Sequence, residues 1–160
     1  MKKLFQSLFG KEEPVRVAGK SGDVKPGFRE LNWGDGVKPG FEAVDQDGDD
    51  KFYKRLTENL HFMGRPVSEI VYWYWQGKFR AVAVKMPGPM SEAVHKTLML
   101  RYGQPAQPNP AVLTFVWSFG DTDAEATSVM LRKPNASGQD AMIIISSKAI
   151  EARRKQESAR

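Results

Sequence analysis

The clearest order in this chain begins at Ile70, where "IVYWYWQGKFRAVAV" runs apolar and aromatic on either side of a Gln76–Gly77 pair. β-Branched and aromatic residues around a two-residue, Gly-containing break predict a β-hairpin. With a period of two, Ile70, Tyr72 and Tyr74 fall on one face of it, and Val71, Trp73 and Trp75 on the other. Both faces are apolar. The pair is therefore expected at the centre of a sheet covered on both sides, or at a binding surface.

The period then changes. Met90, Val94, Leu98 and Arg101 share one helical face, with Ala93 and Thr97 beside it, which predicts a helix over 91–102 with a core stripe. Pro87 and Pro89 precede it, Gly103 suits its C-cap, and Pro105 prevents continuation. Beyond "GQPAQPNP", residues 111–119 alternate Leu113, Phe115, Trp117 and Phe119 on one face; 124–132 return after "GDTD", and "AMIIISS" forms a last strand. The closing "KAIEARRKQESAR" is polar and helix-prone, with Glu151 and Lys155 spaced as an i,i+4 pair. Residues 52–60 suit a helix (Phe52, Leu56, Leu60) or two short strands equally well. Strands joined by short turns around one helix predict the α+β class: a single antiparallel sheet of about five to six strands, with the helix at 91–102 packed on one face.

This pattern divides the chain into an N-terminal amphipathic segment and flexible linker (1–27), one α+β domain (28–147) and a basic, helix-prone tail (148–160). In the first part Leu4, Phe5, Leu8 and Phe9 share one side of two helical turns, and the Gly-, Pro- and Lys-rich 10–27 has no period. The leading expectation for 1–9 is a frayed or self-docked terminus, with a membrane-surface or partner-docking segment as the alternative. Gln6 and Ser7 interrupt the apolar run and Lys11, Glu12 and Glu13 follow, so no export signal is expected and the cytoplasm is the expected compartment.

A chain of 160 residues, 41% hydrophobic and 27% charged, can bury a core without covalent staples. It has no cysteine, which excludes disulfides, thiolate nucleophiles and cysteine-ligated metals. The net charge of +5 looks like a signal for nucleic acid until it is located. Residues 1–27 hold six Lys/Arg against three Asp/Glu and residues 148–160 five against two, while 28–147 hold thirteen against fourteen. The basic character lies in the tails, and the body is near neutral.

Three short motifs add a resemblance. Phe28, Arg29, Leu31, Trp33 and Gly34 spell F-R-x-L-x-W-G; Tyr72 to Val84 follow Y-x-Y-x-x-G-x-F-x-x-V-x-V; Leu98, Tyr102, Gly103 and Pro105 give L-x-x-x-Y-G-x-P, before a Trp-centred strand at Trp117. In this order, over 28–147, the chain resembles a group of small bacterial α+β domains of unassigned function, often periplasmic or lipoprotein-attached. The resemblance implies strand over 52–60 and leaves a periplasmic location open. It implies no catalytic residues.

"DQDGDD" at 45–50 suggests a calcium loop, but neither EF-hand register closes: from Asp45 the sixth and twelfth positions are Asp50 and Leu56, and from Asp47 the fifth and sixth are Lys51 and Phe52. A solvated turn is expected. His61 and His95 stand without further ligand-type neighbours, and a Ser91–His95 pair has no orienting acid. "NWGDGVKPG" lacks phosphate-loop spacing. No cofactor, metal or catalytic residue is expected. Trp73 and Trp75 beside Lys78 and Arg80 are the leading candidates for contact with a ligand or partner. A binding domain with a protein partner is the leading reading. The runner-up is a membrane surface or nucleic acid held through Lys2, Lys3, Arg153, Arg154 and Lys155, and the third is an enzyme of unrecognised type.

Overall fold

A computed structural model describes residues 26–109, 113–120 and 126–159. The 1–25 segment, with Lys2 and Lys3, lies outside the described residues. The elements in chain order are β1 (Gly27–Phe28), β2 (Leu31–Asn32), β3 (Phe41–Asp47), β4 (Asp50–Arg55), β5 (His61–Phe62), β6 (Arg65–Pro66), β7 (Glu69–Trp75) and β8 (Lys78–Pro87). A 3-10 turn (Gly88–Met90) then leads into α1 (Ser91–Tyr102), β9 (Ala106–Asn109), β10 (Thr114–Phe119), β11 (Thr127–Arg132), β12 (Asp140–Ser147) and α2 (Lys148–Ser158).

The α+β class is as expected, and one antiparallel sheet dominates, but it has eight strands where five to six were expected. Their order is β3-β4-β7-β8-β12-β11-β10-β9. The additions are edges. β3 is almost wholly exposed, so it carries no apolar alternation to find, and β9 includes Pro108, which only an edge strand tolerates. Of the ambiguous 52–60 stretch, residues 52–55 belong to β4, and 56–60 are neither helix nor strand. "DQDGDD" is the β3–β4 turn, with Gly48 at φ 62°. Among the described residues no group of three or more His, Asp or Glu gathers as a metal would need.

The hairpin at Gln76–Gly77 forms as expected, with φ 52° and 75° at its two turn residues and Trp75 opposite Lys78. From β8 the chain crosses the sheet through α1 to the far edge, then winds back through β10, β11 and β12 until β12 pairs with β8. That crossing gives the sheet a covered inner face. Ile70, Tyr72, Val82, Val84, Ile143 and Leu131 are buried there with Val94 and Leu98 of α1. Arg101, expected in the helical stripe, is exposed in the last turn instead, where a cation suits the helix dipole.

The motifs behind the resemblance are structural here. Phe28 and Leu31 are buried in the core, and the Trp33 indole donates to the Thr127 hydroxyl at 3.0 Å. Arg29 reaches Glu58 at 2.7 Å. Tyr102 packs on Phe119, and Trp117 donates to the Gly103 carbonyl at 2.9 Å. Ser91 donates to the Gly88 carbonyl, and the His95 ring lies on Phe115.

Two buried tyrosines differ usefully. Tyr72 donates to Glu58 at 3.3 Å, whereas the buried Tyr74 hydroxyl makes no hydrogen bond among the described residues. Burial, reinforced by the nearby Asp35 carboxylate, pushes the Tyr74 phenol up to about 12. Tyr74→Phe is therefore expected to leave stability unchanged or raise it by up to ~1 kcal/mol, because it removes a desolvated group with no partner; urea unfolding midpoints check this. Among the described residues no helix is long and apolar enough to cross a membrane.

Candidate functional site

Residues that point away from the core define the sheet's outer face. The register aligns Phe52, Trp73, Ala81, Ser146, Ser128 and Ser118 in one row across it, and Val71, Ala83, Ile144, Met130 and Val116 in the next. The large apolar members of both rows are half-buried, not sealed. α2 passes over one end and leaves a groove of about 560 Å³, lined by Trp73, Val116, Met130, Ile144, Glu151 and Lys155 among others. A second hollow, of about 470 Å³, continues past Trp73 to Val44, Val71, Lys85 and Met142. Trp73 borders both.

Trp73 stays in place because it is gripped from two sides. Phe52 of β4 meets its ring edge-on at 5.8 Å, and the Arg80 guanidinium lies 5.0 Å from its centroid. Arg80 arises from a register shift. Trp73 pairs with Ala81 but Tyr74 pairs with Phe79, so Arg80 is the extra residue of a β-bulge. Its side chain is only 4% exposed and needs a counter-charge. Glu151 of α2 accepts from Arg80 Nη1 at 2.6 Å, and Asp50 of β4 lies 3.3 Å from its Nε. Asp50 in turn takes a two-pronged bond from Arg154 of α2, Nε at 2.9 Å and Nη2 at 2.8 Å. Burial alone would raise the Asp50 carboxyl; the Arg154 hydrogen bonds and the charges of Arg80 and Arg154 outweigh it and hold the carboxyl below its ordinary range.

The sequence candidates therefore separate. Trp73 and Arg80 come together on the outer face. Trp75 lies on the same face but is buried, at 6% exposed. Lys78 is exposed beside the hairpin turn, paired across the strands with Trp75. Of the tail cations, Arg153 and Lys155 are exposed on α2, while Arg154 is committed to Asp50. The expected Glu151–Lys155 pair is replaced, because the Arg80 guanidinium, buried and in need of an acid, outcompetes an exposed lysine for Glu151. Sequence reasoning missed Asp50, Glu151, Met130, Ile144 and Val116. The alternation in β10 to β12 could have named the last three, whereas the partners of Arg80 are 30 and 71 residues away and leave no local signal.

At the other end of the outer face Glu69 bridges Lys54 (2.5 Å) and Lys85 (3.2 Å), whose hydrogen bonds hold its carboxyl below the usual range. The β3 edge is guarded by a bulge near Val44 and by Glu42, Asp45 and Asp47. Comparison with protein-family models, with curated protein sequences and with solved structures finds no match.

Proposed function

We propose that this chain is a non-enzymatic binding domain whose partner is a protein, and that the partner lies along the outer face of the sheet. One observation carries the reading: Val71, Trp73, Val116, Met130, Met142 and Ile144 form a half-open apolar strip on a face that α2 covers only at one end. A continuous apolar strip rimmed by charge is what a protein interface requires. Strand addition at β3 is disfavoured by its bulge and acids. A phosphate-rich partner held through the tails loses Arg154, which Asp50 neutralises, and rests on Arg153 and Lys155 of α2 and on residues before Pro26.

Affinity capture from the protein's own cells tests this, with wild type, Met130→Asp, Ile144→Asp and Leu100→Asp compared at low and high salt. Leu100 is the control, being 80% exposed on α1. The expected result is a protein retained by wild type and Leu100→Asp at high salt and lost by both outer-face variants. Nucleic acid or lipid that is captured equally by all four proteins and released by salt contradicts the reading.

A further inference from the structure

Arg80 is a costly residue to bury, and its surroundings do not use all of it. It is 4% exposed, it stacks on Trp73, and it lines the groove beneath α2. Nη1 is engaged by Glu151, but Nε makes no hydrogen bond among the described residues, because Asp50 stands at ion-pair distance without the required geometry. A guanidinium presents a rigid fork of donors suited to a carboxylate. Here the groove side of that fork is met by a side chain from a helix, not from the sheet.

The hold of that helix is mostly polar. Ser147 caps its start by accepting from the Ile150 amide, and Ile150 is its one buried residue. From Glu151 onward, the side-chain bonds that reach the sheet among the described residues are Glu151–Arg80, Arg154–Asp50 and an exposed Gln76–Glu157 bond at 3.3 Å. These partly buried pairs are costly to break but can be exchanged, since a carboxylate supplied by a partner can take the place of Glu151 beside Arg80. If α2 lifts, Asp50 of β4, across β7, remains 3.3 Å from Arg80 Nε, so the sheet is not left with a bare charge, and Nη1 is freed beside Trp73, Met130, Ile144 and Val116.

Building on the binding-domain reading, we infer that the Arg80 end of the groove receives an acidic side chain of the partner, flanked by apolar residues, and that Glu151 occupies this position in cis. The C-terminal helix is then an autoinhibitory strap. Lys155, exposed at the rim, adds attraction for an incoming acid.

The test uses the full chain and two fluorescein-labelled peptides that share their leucines and carry Glu in one and Lys in the other at the polar positions, with phosphatidylglycerol vesicles as a third probe. Binding is read by anisotropy, or by co-sedimentation for the vesicles. The Glu peptide is expected to bind, more weakly as salt rises, and the Lys peptide is not. Glu151→Gln is expected to tighten the Glu peptide about tenfold, since removing the cis competitor lifts its tax on apparent affinity. Hydrogen exchange supplies a readout independent of ligand: Glu151→Gln should speed exchange of the Ile150–Ser158 amides while leaving the β8 and β12 amides protected. Equal binding of both peptides, weaker or unchanged Glu-peptide binding in Glu151→Gln, or vesicle binding in place of peptide binding would each overturn the inference. If the cellular partner is lost with Met130→Asp and Ile144→Asp while the two peptides bind alike, the binding-domain reading stands and this inference alone fails.

Discussion

Ile143→Asp is expected to abolish folding, whereas Ile144→Asp, one residue along the same strand, is expected to leave the protein folded. Ile143 is fully buried between Val84 and Leu131 on the inner face. A carboxylate there has no partner, and the several kcal/mol it costs compare with the ~5–15 kcal/mol that holds a domain together. Ile144 faces outward between Ala83 and Met130 and is half-open to water, so a charge there can stay hydrated, at a cost of about 1 kcal/mol. Far-ultraviolet circular dichroism and thermal melts distinguish the two outcomes. If both variants unfold, the outer face is core and the groove is not a surface.

The second large effect is at Asp50. Arg80 and Arg154 share it, as they also share Glu151, and because it stands on β4 it ties β4, β8 and α2 together. Asp50→Asn is expected to cost about 3 kcal/mol, since breaking a partly buried pair strands the remaining charge. It should also change the response to acid. The folded Asp50 carboxyl titrates below its ordinary value, so its stabilisation is fully present above the unfolded carboxylate range near pH ~4 and is lost as pH falls through the folded value. Glu69 acts in the same direction, depressed by Lys54 and Lys85. Urea midpoints measured from neutral pH down through pH ~4 should therefore fall for wild type and fall less steeply for Asp50→Asn. Parallel curves would mean that Asp50 is not paired in solution.

Much of this architecture was legible because burial writes a period into the sequence. The Ile70–Val84 hairpin, α1 and the β10–β12 strands all have a face packed in the core, and their alternation or helical spacing shows it. β3 was invisible for the opposite reason: an edge strand with almost nothing buried has no pattern to read. The pairing of Trp73 with Arg80 was legible only as proximity. Simple parity puts residue 80 on the inner face with Val82 and Val84, and it takes the bulge between Trp73 and Tyr74 to turn it outward. The tail looked like a basic accessory because composition reports charge but not who neutralises it. Asp50 and Arg154 are 104 residues apart, and only the docking of α2 brings them together.

The central claim is that the outer face is the working surface, and site-specific photo-crosslinking in living cells tests it most directly. A photoreactive residue would replace Met130 on the outer face in one protein and Leu100 on α1 in another. The expected result is a discrete protein adduct from position 130 and none from position 100. Adducts of equal yield from both positions, or adducts from position 100 alone, would contradict it.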